Sequence, residues 1–368
     1  MKFVFSRDRF AHLEDHSAVR FKIEEVQGAK LTVGCYMVAD PTLWDDEYGR
    51  EMRGITWDET GTCVCLPFEK FFNLNENKHV QEKDLPWDYE YEVFEKRDGS
   101  LITPVLVNGQ IFCKSKKSFY SDVALAANTL LASNTRLNLF CFDLLNRFYT
   151  PIFEFTSPDS EIVVNYGSEP KMVLLAIRDQ KNGTYMDHNY MKLVAGSQGV
   201  EVINSYGKVP LDTLKDEMKT REDIEGYVIH FLNGVRVKMK TDWYLRLHHA
   251  KTDLRERDIA SMFVDETIDD VKSVVVASGL SLEPIEKIEA RVSRELEDII
   301  DRTRELFGWI RLQESRKEAA IKFHGNAVFG LAMKLLDKKE PDYKMFWKKN
   351  YLQHYTLNTV YSNFKEEQ

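Results

Sequence analysis

Six consecutive residues carry the strongest chemical suggestion in this chain: Glu95-Lys96-Arg97-Asp98-Gly99-Ser100. A lysine stands two places before an Asp-Gly pair, between the strand-like run Tyr91-Glu92-Val93-Phe94 and the apolar pair Leu101-Ile102. A lysine held at such a strand-to-turn junction can attack the α-phosphate of a nucleotide and carry AMP as a phosphoramidate. The amine must be neutral to attack, and an ordinary lysine, with a pKa near 10.4, is protonated. Nearby cations would ease the loss of that proton and stabilise the phosphate. By composition, Lys-x-Asp-Gly arises by chance in about one chain of this length in ten to twenty. Other residues must therefore corroborate it.

Four further clusters follow in order. Lys114-Ser115-Lys116-Lys117-Ser118 comes after the hairpin signal Asn108-Gly109. Phe153-Glu154-Phe155 places one acid between two aromatics, so in a strand Glu154 faces away from both rings. Glu225-Gly226-Tyr227-Val228-Ile229 opens another strand with an acid. Val237-Lys238-Met239-Lys240 sets two lysines on one strand face. That pair suits a phosphate, and without an anion it is repulsive. A solvated strand face accounts for any single cluster, but poorly for all of them in this order.

With these residues in place, a family resemblance can be read. Lys96-Arg97-Asp98-Gly99, Phe153-Glu154-Phe155, Glu225-Gly226 and Lys238-Met239-Lys240 resemble motifs I, III, IV and V of the covalent nucleotidyltransferases. That superfamily includes ATP-dependent ligases and mRNA-capping enzymes. The flanks are more specific: Glu51-Met52-Arg53-Gly54-Ile55, Glu69 to Asn77, and Lys240-Thr241-Asp242-Trp243-Tyr244 resemble the bacteriophage RNA ligase 1 family, which reseals broken transfer RNA. The resemblance implies that Lys96 is the adenylated nucleophile and that Lys238 and Lys240 clamp the α-phosphate. It implies that Glu154 lies near the ribose and Glu225 near the lysine or a metal. It places Arg53 and Lys70 on the triphosphate and Tyr36 at the adenosine site. Asp98 and Gly99 would shape the turn that presents Lys96, and Lys171 with Met172-Val173-Leu174-Leu175 resembles motif IIIa. Asp269, within Thr267-Ile268-Asp269-Asp270-Val271, aligns with a metal-linked aspartate, although an Asp-Asp pair is also a common helix start. The chain departs from the family after the hairpin, where Lys116-Lys117-Ser118 replaces the usual Lys-Gly-Ser and puts the local turn in question.

The elements that must position these residues change character along the chain. Up to about Asp242 the pattern is mostly of strands, exemplified by Lys30-Leu31-Thr32-Val33, Cys63-Val64-Cys65-Leu66 and Val105-Leu106-Val107. A helix interrupts over Ser121 to Ala132. From Pro284 to Leu312, Ile285, Ile288, Val292, Leu296, Ile299, Leu306 and Ile310 mark one helical face. Two further helices are expected near 316–337 and 342–362. The expected fold class is α+β: an adenylyltransferase domain of antiparallel sheets with flanking helices at 1–250, then an all-α domain at 251–368 contributing RNA specificity.

The 368 residues, 43% hydrophobic and 30% charged, describe an ordinary globular protein with no membrane span and no secretory signal at the N-terminus. Five cysteines without a Cys-x-x-Cys pair read as buried thiols of a cytoplasmic protein, in a phage-infected bacterium by the resemblance. A net charge of −9 argues mildly against nucleic acid as a partner. Location outweighs the sum, however. Lys338, Lys339, Lys344, Lys348 and Lys349 alternate with Tyr343, Phe346, Trp347 and Tyr351, which suits RNA or else a solvated helix face. His12 and His16 imitate a zinc-helix spacing, but Leu13 stands where a metalloprotease needs Glu. The expected activity is ATP-dependent sealing of 3′-hydroxyl to 5′-phosphate RNA ends, on nicked tRNA, with ATP and Mg2+ or Mn2+. A monomer is expected, acting after an end-healing kinase or phosphatase. The alternatives are a DNA ligase or capping-type enzyme, or a non-catalytic RNA-binding relative.

Overall fold

The computed structural model describes residues 4–37, 40–158, 164, 166–249, 254–277 and 280–361. The chain divides into two compact units, one of Met1–Met37 with Pro41–Ala250, the other of Val38–Asp40 with Lys251–Gln368.

The first unit is built on three sheets. Strands β1 (Val19–Val26), β2 (Ala29–Tyr36), β3 (Arg53–Trp57) and β4 (Cys63–Cys65) pair in chain order, with the short helix α1 (Pro41–Asp45) between β2 and β3. Next come β5 (Phe72–Asn73), β6 (Tyr91–Lys96), β7 (Ser100–Val107) and β8 (Gln110–Lys114), then helices α2 (Asp122–Ser133) and α3 (Thr135–Asn146). The unit continues through β9 (Tyr149–Thr156), β10 (Lys171–Asp179), α4 (His188–Ser197), β11 (Ser205–Gly207), α5 (Leu211–Thr220), β12 (Gly226–Phe231), β13 (Arg236–Lys240) and α6 (Asp242–His249). The second sheet runs β10-β9-β7-β8 and the third β11-β6-β12-β13-β5. Among the described strands the pairing is antiparallel, apart from the parallel contact of β13 with β5.

Local sequence explains these elements. Asn108 and Gly109 take positive φ of 49° and 79°, which closes the β7–β8 hairpin with the twist that the strands need. Ser121 caps α2 by accepting a hydrogen bond from the Ala124 amide at 3.3 Å, and Asn134 caps α3 through the Leu137 amide at 3.0 Å. Phe153 and Phe155 of β9 join Leu137, Phe140 and Leu144 of α3 in one buried core. Alternation then sends Glu154 to the other face of the sheet, as its spacing predicted.

The second unit holds β14 (Leu254–Arg255), α7 (Glu256–Val264), α8 (Ile268–Ala277), α9 (Glu283–Arg311), α10 (Arg316–Phe323), α11 (Phe329–Leu336), α12 (Tyr343–Asn350) and β15 (Thr359–Tyr361). All seven apolar residues expected on one face of α9 are buried. The helix expected over 316–337 is instead two. Gly325 interrupts it, and Asn326 accepts a hydrogen bond from the Val328 amide at 3.0 Å, which favours a turn over a helix interior. The helix expected over 342–362 ends at Asn350. Beyond it, β15 pairs with β14, so the helical unit carries one short antiparallel ladder. No described helix is long and apolar enough to cross a membrane. All five cysteines are buried.

Candidate active site

Strands β6, β12 and β13 lie side by side, and their register sets the chemistry. Lys96 is opposite Gly226, which is opposite Lys240; Phe94 is opposite Val228, which is opposite Lys238. Directly paired residues share a face, so Lys96, Lys238 and Lys240 project from the same side of one sheet. Glu225, at the mouth of β12, bridges two of them. Its Oε2 lies 2.6 Å from Lys96 Nζ and its Oε1 lies 2.8 Å from Lys240 Nζ. Burial alone would raise the Glu225 pKa, but Lys96 and Lys240 outweigh it and hold the carboxyl below its usual range.

Two glycines allow this convergence. A Cβ on Gly226 would stand 1.9 Å from the Met239 carbonyl oxygen, so only glycine lets β13 approach between the two lysines. A Cβ on Gly99 would stand 2.5 Å from the Phe155 carbonyl oxygen, so the turn after Lys96 packs directly on β9. Asp98 ties that turn down. Its Oδ1 accepts a hydrogen bond from the Tyr244 hydroxyl of α6 at 3.0 Å, and its Oδ2 accepts one from the Val164 amide at 3.0 Å. The Asp98 amide donates to the Tyr166 hydroxyl at 2.9 Å, and the Arg97 guanidinium stacks 4.1 Å above the same ring.

Glu154 completes the polar centre from β9. Burial raises its pKa to about 8; Lys96 and Arg53 pull it down, while Glu225 and Asp98 push it up. Its side chain is therefore in electrostatic contact with the nucleophile candidate, the bridging acid and Arg53. Arg53 opens β3, and its Nε is buried with no hydrogen-bond partner among the described residues. Lys70 is buried with its Nζ 5.2 Å from the centre of the Phe72 ring. Tyr36, also buried, meets Trp44 edge-on at 5.1 Å, and Trp44 meets Phe72 at 5.8 Å. Lys116 lies over the Tyr36 ring at 3.9 Å. Its loop is closed, because the Ser115 amide donates to the Ser118 carbonyl at 3.0 Å and the Ser118 hydroxyl donates to Glu24 at 2.7 Å. The lysine in place of glycine at 117 is accommodated there. Lys114 is fully buried and donates to the carbonyls of Gly54 at 2.8 Å and Ser115 at 3.1 Å; burial lowers its pKa.

The structure thus gathers Lys96, Glu225, Lys240, Lys238, Glu154, Arg53, Asp98, Gly99 and Tyr244 around one sheet junction. Asp269 belongs to the second unit, in the first turn of α8. Lys171 begins β10. His12 belongs to a 3-10 turn, Arg7–Leu13, and pairs with Asp46 at 2.9 Å; with no α-helix, the zinc-like spacing loses its meaning. Among the described residues, no group of three or more His, Cys, Asp and Glu is arranged to hold a metal. Glu154 and Glu225 nevertheless suit a hard divalent cation, which takes one or two carboxylates and completes its shell with water and phosphate oxygens. Sequence reasoning passed over two groups: the Tyr166 contact with the lysine turn, and Arg178 with its two acids. Arg178 did leave a signal, as a lone cation ending the apolar run Met172 to Ile177.

The sequence model of the RNA ligase family matches residues 51–244. A protein of Thermovibrio ammonificans described as "Putative RNA ligase" is 27% identical over 323 residues, covering 81% of this chain and 82% of its own. The RNA ligase 1 of bacteriophage TS2126 is 26% identical over 256 residues, 64% of this chain and 61% of that protein. Among solved structures, "Putative ATP-dependent DNA ligase from Aquifex aeolicus" aligns with TM-score 0.49 at 12% identity, covering 90% of this chain and 88% of that one.

Proposed function

The chain belongs to the RNA ligase family, and from that premise we propose that Lys96 is the residue it adenylates and that nicked tRNA is the RNA it seals. The observation that carries the site assignment is the Glu225 carboxylate bridging Lys96 and Lys240 across Gly226. In the first step, Lys96 Nζ bonds to the α-phosphorus of ATP as the α–β phosphoanhydride bond breaks and pyrophosphate leaves. The lysine sheds its proton in doing so. Glu225, kept ionised, orients Lys96 and faces that proton. Lys238 and Lys240 stabilise the negative charge as pyrophosphate departs, and Arg53 and Lys70 take the outer phosphates, with Tyr36 at the adenosine. Asp98, held by Tyr244, fixes the turn that aims Lys96. AMP then passes from Lys96 to the RNA 5′-phosphate, and attack by the 3′-hydroxyl forms the phosphodiester and releases AMP. Glu154 and Glu225 would hold a divalent cation, Mg2+ or Mn2+, which neutralises phosphate charge when bound.

A DNA ligase or capping enzyme is the second reading. Both usually carry a five-stranded barrel after motif V, whereas the described residues from 254 to 361 form helices and one short ladder. An upstream kinase or phosphatase would leave the 5′-phosphate and 3′-hydroxyl ends that this chemistry needs. The test is incubation with ATP labelled at the α-phosphate. A covalent adduct is expected in the wild type and none in Lys96→Ala; an adduct persisting in that variant refutes the nucleophile. GTP in place of ATP, and DNA in place of RNA ends, separate the second reading. Tight RNA binding without any adduct would favour a non-catalytic relative.

A further inference from the structure

Two buried arginines, two half-buried acids and a tyrosine form a network that the steps above leave unused. Arg178 of β10 grips Glu51 with two parallel hydrogen bonds of 2.6 and 2.8 Å. The same guanidinium donates to the Pro67 carbonyl at 2.6 Å and the Gly183 carbonyl at 3.0 Å. It also lies 3.4 Å from Glu69, whose other oxygen accepts a hydrogen bond from Arg236 of β13 at 3.0 Å. Tyr185 donates its hydroxyl to Glu69, and its ring lies 3.6 Å from the Arg236 guanidinium. Burial would raise Glu69, yet Arg178, Arg236 and the tyrosine hydroxyl hold it down to about 2. Burial pushes the Glu51 carboxyl up against the pull of Arg178, and each side chain of the network has a partner.

Its location gives it a task. Glu51 lies two residues before Arg53, and Glu69 directly precedes Lys70. The Lys70 amide also donates to the Arg50 carbonyl at 2.7 Å, so the two acidic segments run together. Arg178 therefore staples the short stretches that carry Arg53 and Lys70, and Arg236 ties them to the strand of Lys238 and Lys240. Buried ion networks add little net stability compared with apolar packing, whereas breaking one leaves costly unpaired charge. What such a network can supply is fixed geometry. Arg53 and Lys70 carry like charge, and a loosely held pair would turn apart.

We propose that Arg178 and Glu69 are positioning residues: they fix the backbone at Arg53 and Lys70 so that both cations face the outer phosphates of ATP before it binds. This rests on the reading of Arg53 and Lys70 as triphosphate contacts. It has a selective consequence. Lysine adenylation involves a triphosphate, whereas sealing an RNA whose 5′ end already carries AMP does not.

The experiment uses the full chain with Glu69→Gln, which is isosteric, and Arg178→Lys, which cannot reproduce the paired hydrogen bonds. Single-turnover adenylation is measured against ATP concentration, beside sealing of chemically pre-adenylated RNA and the melting temperature. The apparent KM for ATP should rise about tenfold or more, with the limiting rate and pre-adenylated sealing within about threefold of wild type. Tyr185→Phe removes a single hydroxyl from Glu69 and should give the same split at smaller size, which keeps the test open if a charge variant fails to fold. An unchanged KM, or loss of both activities in step with melting temperature, overturns the proposal. Absence of an adduct in the wild type would refute the functional reading itself, whereas a normal wild-type adduct with no split in the variants refutes only the positioning role.

Discussion

Glu225 and Glu154 belong to one site and ionise in opposite senses, and the difference follows from their immediate neighbours. Glu225 touches two ammonium groups, which overcome the cost of burial. Glu154 feels Lys96 and Arg53 without such a bridge, while Glu225 and Asp98 oppose its ionisation, so burial prevails and its pKa rises from 4.5 to about 8. Between pH 4.5 and about 8 the unfolded chain is ionised at this position and the native chain is protonated. The native state then binds more protons, so wild-type stability falls as pH rises, by up to about 1.4 kcal/mol per unit. Glu154→Gln keeps the shape and removes the titration. Urea melts of both proteins should show the variant gaining relative stability across that window and no further change above it. A difference independent of pH would mean that Glu154 is ionised throughout.

At the level of elements, what sequence could reveal was set by whether a residue's partner lies along the same strand or far away in the chain. Alternation alone placed Glu154 opposite its two phenylalanines and Lys238 on the face of Lys240, and the Asn-Gly pair announced the β7–β8 turn. Those readings need only local periodicity. The convergence of Lys96 with Lys240 depends on the register of β6, β12 and β13, and the Arg178–Glu51 pair joins residues 127 apart. No local pattern encodes either distance. The split between α10 and α11 was visible in principle at Gly325, but the apolar residues on both sides masked it. The α6 helix shows how an element serves the site from outside: Tyr244 reaches Asp98, and so steadies the turn behind Lys96. A hydrogen bond to a charged group contributes about 1.5–3 kcal/mol. Tyr244→Phe should therefore slow single-turnover adenylation by about tenfold or more, with the far-ultraviolet circular dichroism unchanged. An unaltered rate would show that the turn holds without α6.

For the whole molecule, the question is how a chain of net charge −9 handles RNA. Part of the answer lies in where its cations are spent. In the second unit, Lys344 pairs with Glu266 at 2.5 Å and Lys348 with Asp265 at 2.6 Å, while Trp347 is buried and donates to Glu295 at 2.8 Å. Much of the lysine-aromatic stretch therefore builds the helical unit, and Lys338, Lys339 and Lys349 are its exposed lysines. The cations proposed to act in the adenylation step, by contrast, all lie in the first unit, which has its own sheets and buried core. On that proposal adenylation draws on ATP and the first unit, whereas choosing among RNAs draws on surface that meets phosphates far from the sealed ends. Ending the chain at about residue 250 should therefore leave formation of the lysine adduct within several-fold of the full protein, while the proposed preference for nicked tRNA over a linear RNA with the same ends disappears. Sealing rates on the two substrates, measured side by side for both lengths of chain, decide it. Equal preference in both would remove the helical unit from substrate choice, and loss of the adduct on truncation would make it part of the adenylation machinery.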